Sequence, residues 1–141
     1  MHELFYCSFA VREMSDADIL DLLGVARSFN SENEITGILI YWIKTRQFMQ
    51  ILEGEKEVIF NLLEKIKRDK RHTGINLIYD GKIPDRTFGN WSMGFRNFSE
   101  IDKSKLEGFS EYLEKGFTNE LIKKDPSKAT NLFQSFKKIL P

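Results

Sequence analysis

Gln50 stands in the stretch Phe48-Met49-Gln50-Ile51-Leu52-Glu53-Gly54, where strand alternation puts it on one face with Phe48 and Leu52. An unpaired side-chain amide in such a layer costs on the order of 1–3 kcal/mol, so the pattern calls for a bonding partner. Tyr6, in Leu4-Phe5-Tyr6-Cys7-Ser8-Phe9, is the nearest candidate. A phenol donates or accepts and an amide does both, so the two can satisfy each other as a buried pair. Equally, they can edge a flat, polar-rimmed ligand. Trp91 and Met93 fall together in the alternation of residues 88–95, as core or as part of the same layer.

A second group of chemistry-bearing residues runs from Lys65 to His72, "KIKRDKRH". One reading is a solvated helix end whose cations complement the helix dipole. The other is a cluster for a phosphate or polyol tail, with Lys65 and Arg71 as donors, Asp69 orienting a hydroxyl and His72 joining them. Asn30 is either a helix cap or a ligand to the same pocket. No cysteine–histidine metal spacing, glycine-rich phosphate loop or serine–histidine–acid set is present, since His2 and His72 are the only histidines. No metal site is expected, and neither is catalysis by side chains alone.

The elements that must position these residues follow from pattern. Residues 4–9 read as a strand. Ser15 with Asp16 and Asp18 is a helix start, and Ile19, Leu22, Leu23, Ala26 and Phe29 give a helix over about 16–30 its buried stripe, ended by Asn30. Thr36–Trp42, apolar on both faces, and 48–53 form a hairpin across Lys44-Thr45-Arg46. Val58, Ile59, Leu62, Leu63 and Ile66 mark a second helix over about 55–70. Strands follow at 75–79 and within 88–95, then helices near 103–116 and at 127–140, the latter opened by Asp125 and Pro126. The order βαββαββ predicts an α+β, ferredoxin-like sheet with two helices on one face. The other face, read as Phe5, Cys7, Leu39, Tyr41, Met49 and Ile51, needs a cover, and the C-terminal helices are expected to supply it.

The 141 residues suffice for one core without disulfide or metal. Lys plus Arg, 21, equals Asp plus Glu, 21, so no global field recruits nucleic acid or anionic membrane. One cysteine, no secretory segment and no apolar run near 18 residues lead to the expectation of a soluble, cytoplasmic protein.

Taken together, "FYCS", "FNSENEITG", "FMQILEG", "KRDKRH" and "FGNWSMGF" resemble, in order and spacing, the BLUF domain, a blue-light sensor that uses FAD. The resemblance covers residues 3 to about 97. It implies a flavin-binding photosensor domain over 1–97 and a C-terminal helical extension over 98–141. It also implies a flavin, FAD with FMN as an alternative, lying between the two helices. Tyr6 and Gln50 would be the switch pair, Asn30 would hold the ring edge, and Leu22 and Phe48 would pack near the ring. Lys65, Asp69, Arg71 and His72 would line the ribityl and phosphate side, while Trp91 and Met93 would carry the signal outward. In the family, light drives an electron and a proton from the tyrosine through the glutamine, which ends rotated or tautomerised.

Three departures stand out. Phe29 occupies a position where members often carry Asn or His, Lys65 one where arginine is common, and the "YWIKTRQ" hairpin is long, with Trp42 expected to face solvent or a partner. The resemblance leads to the expectation of a stand-alone, non-enzymatic photoreceptor that signals through an unidentified protein partner or its own homo-oligomer. The competing readings are a flavin-free ferredoxin-like interaction module and an acylphosphatase-type enzyme, for which "AVREMSDA" offers Arg12 without the glycines.

Overall fold

The structure is a computed structural model that describes residues 1–105, 115–116 and 118–139. A five-stranded sheet is built from β1 (His2–Ala10), β2 (Thr36–Trp42), β3 (Gln47–Gly54), β4 (His72–Lys82) and β5 (Gly94–Asn97) in the order β4-β1-β3-β2-β5. β1 runs antiparallel to β3 and β4, β3 antiparallel to β2, and β2 parallel to β5. This is the ferredoxin-like arrangement with one added edge strand.

Helix α1 (Asp16–Glu32) starts where the sequence says it should. Ser15 Oγ accepts from Asp18 N at 3.1 Å while Asp18 Oδ2 accepts from Ser15 N at 3.0 Å, a reciprocal cap that satisfies two backbone donors. The helix runs past Asn30 to a cap at Asn33, so Asn30 is a buried residue of the last turn and not the terminator. Helix α2 (Lys56–Lys67) follows β3 and buries Ile59 and Leu63. Both helices lie on one face of the sheet, over Leu4, Tyr6, Leu39, Tyr41, Phe48, Leu52 and Met93.

The opposite face carries Phe5, Cys7, Ile38, Ile40, Trp42, Met49 and Ile51. Two C-terminal helices, α3 (Asn119–Lys124) and α4 (Pro126–Ile139), place Leu121, Ala129, Leu132, Phe133 and Phe136 against it. Phe133 stacks on Phe5 at 4.9 Å between ring centroids, and Lys137 Nζ stands 2.9 and 3.0 Å from the two oxygens of the buried Glu3 carboxylate. The cover expected from the sequence is therefore present, with α3 as an addition. The helix expected near 103–116 falls for the most part outside the described residues; Lys103–Lys105 form a single 3-10 turn.

Three assignments from pattern are corrected. Leu39 and Tyr41 face the helices, because Leu39 pairs with Gln50 across β2–β3 and shares its side. Trp42 is buried, stacked on Phe98 at 4.1 Å, rather than offered to solvent. β5 begins only at Gly94, so Trp91 precedes the strand: Trp91 N donates to Phe88 O at 3.0 Å, the chain turns there, and period-two alternation no longer links Trp91 to Met93. β4 is also longer than 75–79, extending to His72 at one end and Lys82 at the other. Among the described residues no helix is long and apolar enough to cross a membrane.

Candidate functional site

A pocket of about 250 Å³ opens between α1 and α2, above β1 and β3. Its walls are the apolar faces of the helices, with Leu22, Val25, Ala26 and Phe29 from α1 and Leu62 and Ile66 from α2. Phe48 and Leu39 contribute from the sheet, with Met14 from the loop before α1. Polar groups enter at two places: Tyr6, Gln50 and Asn30 in one group, and Lys65, Asp69, Arg71 and His72, around the end of α2 and the start of β4, in the other. The nine residues singled out above as cofactor contacts thus line a single cavity. Trp91 does not: it packs on Phe88, at 5.9 Å between centroids, on the side of the sheet covered by the C-terminal helices.

Tyr6 and Gln50 are directly opposite in the β1–β3 register, which places both side chains on the helix-facing side. The Tyr6 hydroxyl donates to Gln50 Oε1, and Gln50 Nε2 donates to Met93 Sδ at 3.2 Å. Tyr6 is 2% exposed, and burial, with smaller contributions from Cys7 and Asp69, pushes its phenol far above its ordinary value. It is a neutral phenol with a defined proton acceptor. Asn30 Nδ2 donates to Ser92 O at 2.8 Å, and Arg27 Nε donates to Met93 O at 2.8 Å, so α1 holds two consecutive carbonyls ahead of β5. Arg27 carried no signal in the sequence.

At the charged end, Arg71 grips Asp69: its backbone N and Nε reach Oδ1 at 2.9 and 3.0 Å, and Nη2 reaches Oδ2 at 2.5 Å. These bonds hold the Asp69 carboxyl below its ordinary range. His72 Nδ1 lies 3.0 Å from Ser8 Oγ, and burial lowers its imidazole below the usual value. Lys65 Nζ sits over the Phe29 ring, 4.4 Å from its centroid, joining α2 to α1 beside the pocket. Among the described residues no cluster of three or more His, Cys, Asp or Glu could hold a metal.

This donor set fits a flat, largely apolar ring with a polar edge and a charged tail. Residues 1–94 match the family described as BLUF, sensors of blue-light using FAD. The photoactivated adenylate cyclase subunit beta of Euglena longa is 35% identical over 91 residues, 64% of this chain and 10% of that protein. The chain thus spans about a tenth of that curated relative. Among solved structures, BlsA in its photo-activated state is 32% identical with a TM-score of 0.72, covering 94% of this chain and 92% of that one. The dark-state structure of BlrB, a BLUF protein, is 27% identical with a TM-score of 0.74 and covers 99% and 96%.

Proposed function

The chain belongs to the BLUF family of blue-light sensors that use FAD, and from that premise we propose a photoreceptor whose signal begins in the Tyr6–Gln50 hydrogen bond. The residues that would hold the flavin ring between α1 and α2 are Gln50 and Asn30 at its polar edge and Leu22 and Phe48 against it. Lys65, Asp69, Arg71 and His72 would hold the ribityl and phosphate groups. When bound, the flavin supplies the blue-light absorption and, once excited, one-electron oxidising power.

The rest is the work of the chain's own side chains. A neutral buried phenol gives up an electron readily only if its proton can leave at the same time, and Gln50 Oε1 is the acceptor in place. The amide is bonded at both ends, from Tyr6 at Oε1 and to Met93 at Nε2. Turning it about exchanges oxygen for nitrogen. A thioether has no proton to donate, so the turned amide, which presents its oxygen there, no longer bonds to Met93. Loss of that contact biases β5, which is four residues long and hydrogen-bonded only to β2 among the described strands. From β5 the chain passes to Phe98, which stacks on Trp42 and meets Phe136 of α4 edge-on at 6.3 Å. We place the output there, in residues 98–141, as a changed surface for a protein partner or a second copy of the chain.

The observation that carries this reading is the Tyr6–Gln50 bond on the wall of the inter-helix pocket. The test is a light-minus-dark absorption spectrum of the purified protein loaded with flavin. A reversible red shift under blue light is expected. A protein that retains no flavin, or retains it and shows no shift, contradicts the proposal.

A further inference from the structure

The buried carboxylate of Glu53 serves neither the pocket nor the switch pair, yet it is 0% exposed and lies three residues beyond Gln50 on β3, facing the other side of the sheet. A carboxylate persists away from water only if its oxygens are bonded. Glu53 Oε2 accepts from Thr87 N at 2.6 Å, and Oε1 accepts from Phe88 N and Thr36 Oγ1, both at 3.0 Å. The compensating cation is one bond further out. Arg86 Nη1 donates to Thr36 Oγ1 at 2.8 Å and to Glu53 O at 3.1 Å, while Nη2 donates to Glu34 O at 2.7 Å. Residues 86–88, midway along the β4–β5 connection, are thereby fastened to β2 and β3.

The same connection is held again at its C-terminal end by Gln50 Nε2 on Met93 Sδ. Between the two, Trp91 N donates to Phe88 O and Trp91 O accepts from Gly37 N at 3.1 Å. One strand therefore grips both ends of a short segment, with a carboxylate on backbone N–H groups at one end and an amide on a thioether at the other. The first kind of bond is charge-assisted and the second is weak.

We propose that Glu53 is a positioning residue of the photoswitch, the fixed anchor against which release of Met93 displaces β5. This rests on the functional reading above and deepens it. With 86–88 immobile, loss of the Gln50–Met93 contact is confined to 93–97; without the anchor the stretch 86–90 loosens as well, and the displacement is resisted only by the bonds to the Trp91, Ser92 and Met93 carbonyls from Gly37 N, Asn30 Nδ2 and Arg27 Nε. Glu53 is also the cross-strand partner of Glu3, the carboxylate held by Lys137 of α4. Two like charges placed opposite each other are tolerated because each has its own donors. Loop, sheet and C-terminal helix meet at this pair.

The test is amide hydrogen exchange on Glu53→Gln, which keeps the size but turns an NH2 donor toward backbone donors. In the flavin-free protein, exchange at Thr87, Phe88 and Trp91 should accelerate by at least about tenfold while the β1–β3 ladder is unchanged. In the flavin-loaded protein the red shift should persist at wild-type size, with the light-induced exchange change spread over 86–97 instead of confined to 93–97. Wild-type exchange in both states overturns the proposal. A wild-type protein without any red shift overturns the photoreceptor reading instead, since the flavin-free exchange still reports on the anchor. Should Glu53→Gln not fold, Thr36→Val removes the bridging hydroxyl and Thr36→Ser keeps it. Valine should then loosen 86–91 and serine should not; equal behaviour overturns the anchor.

Discussion

Gln50 Nε2 donates to Met93 Sδ at 3.2 Å, and the thioether it reaches is 1% exposed on the helix-facing side of the sheet. Met93→Leu deletes the acceptor while nearly conserving volume, so it should cost less than about 1.5 kcal/mol of stability. The amide returning to its dark arrangement then finds no sulfur. With a hydrogen bond worth about 0.5–1.5 kcal/mol, recovery in the dark should slow by roughly two- to tenfold. Time-resolved decay of the red-shifted band measures it, and unchanged kinetics would show that the sulfur does not hold the amide.

Lys65 reaches across from α2 to lie over Phe29 of α1. Lys65→Met keeps the apolar stem and removes the charge. If the ammonium faces a phosphate, affinity for FMN or FAD should fall by roughly five- to tenfold, about 1 kcal/mol, while affinity for riboflavin, which lacks phosphate, should change less than about twofold. Fluorescence titration with the two ligands distinguishes a phosphate contact from a packing contact. Equal losses would assign Lys65 to packing.

His72 sets a pH dependence. Burial is the largest influence and lowers its imidazole below the ordinary 6.5; Asp69 opposes this and Arg71 adds to it. Between the lowered folded value and 6.5 the unfolded chain binds more protons, so stability is fully present above that range and is lost as pH falls through it. Asp69, held below 3.8 chiefly by Arg71, adds a loss only in more acidic solution. Urea unfolding of the flavin-free protein from about pH 7 to pH 5 should show a falling midpoint, and His72→Gln should flatten that slope. A slope untouched by the substitution would place the titration elsewhere.

Helices α1 and α2 are legible because each rests on local chemistry, whereas the set of residues that lines the pocket is named by the family resemblance and not by local pattern. The Ser15–Asp18 cap and the stripe through Ile19 and Leu23 specify α1 without reference to the rest of the fold. The β2 register was not legible, since Thr36–Trp42 is buried almost throughout and offers no polar side to fix which residues face inward. Only pairing with β3, Leu39 to Gln50, decides it. Trp91 escapes the alternation of residues 88–95 for a different reason: a turn intervenes between Phe88 and Trp91, ahead of β5. At Gly94 even a Cβ would lie 2.6 Å from the Trp91 ring, so the close approach of indole and backbone requires glycine there. Glu53 and Arg86 are 33 positions apart, and their network exists only in the folded chain; the carboxylate inside an apolar strand was the one sign of it.

In the proposed photoswitch Tyr6, and no other phenol, is the electron and proton donor. Tyr41 shares the helix-facing side, 4.7 Å from Phe48 between centroids, but its hydroxyl accepts from Met14 N at 3.3 Å and does not bond to Gln50. The most direct measurement is therefore the light-minus-dark spectrum of two flavin-loaded variants side by side. Tyr41→Phe should keep the reversible red shift, whereas Tyr6→Phe should bind flavin and show none. A red shift that survives in Tyr6→Phe would remove Tyr6 from the switch.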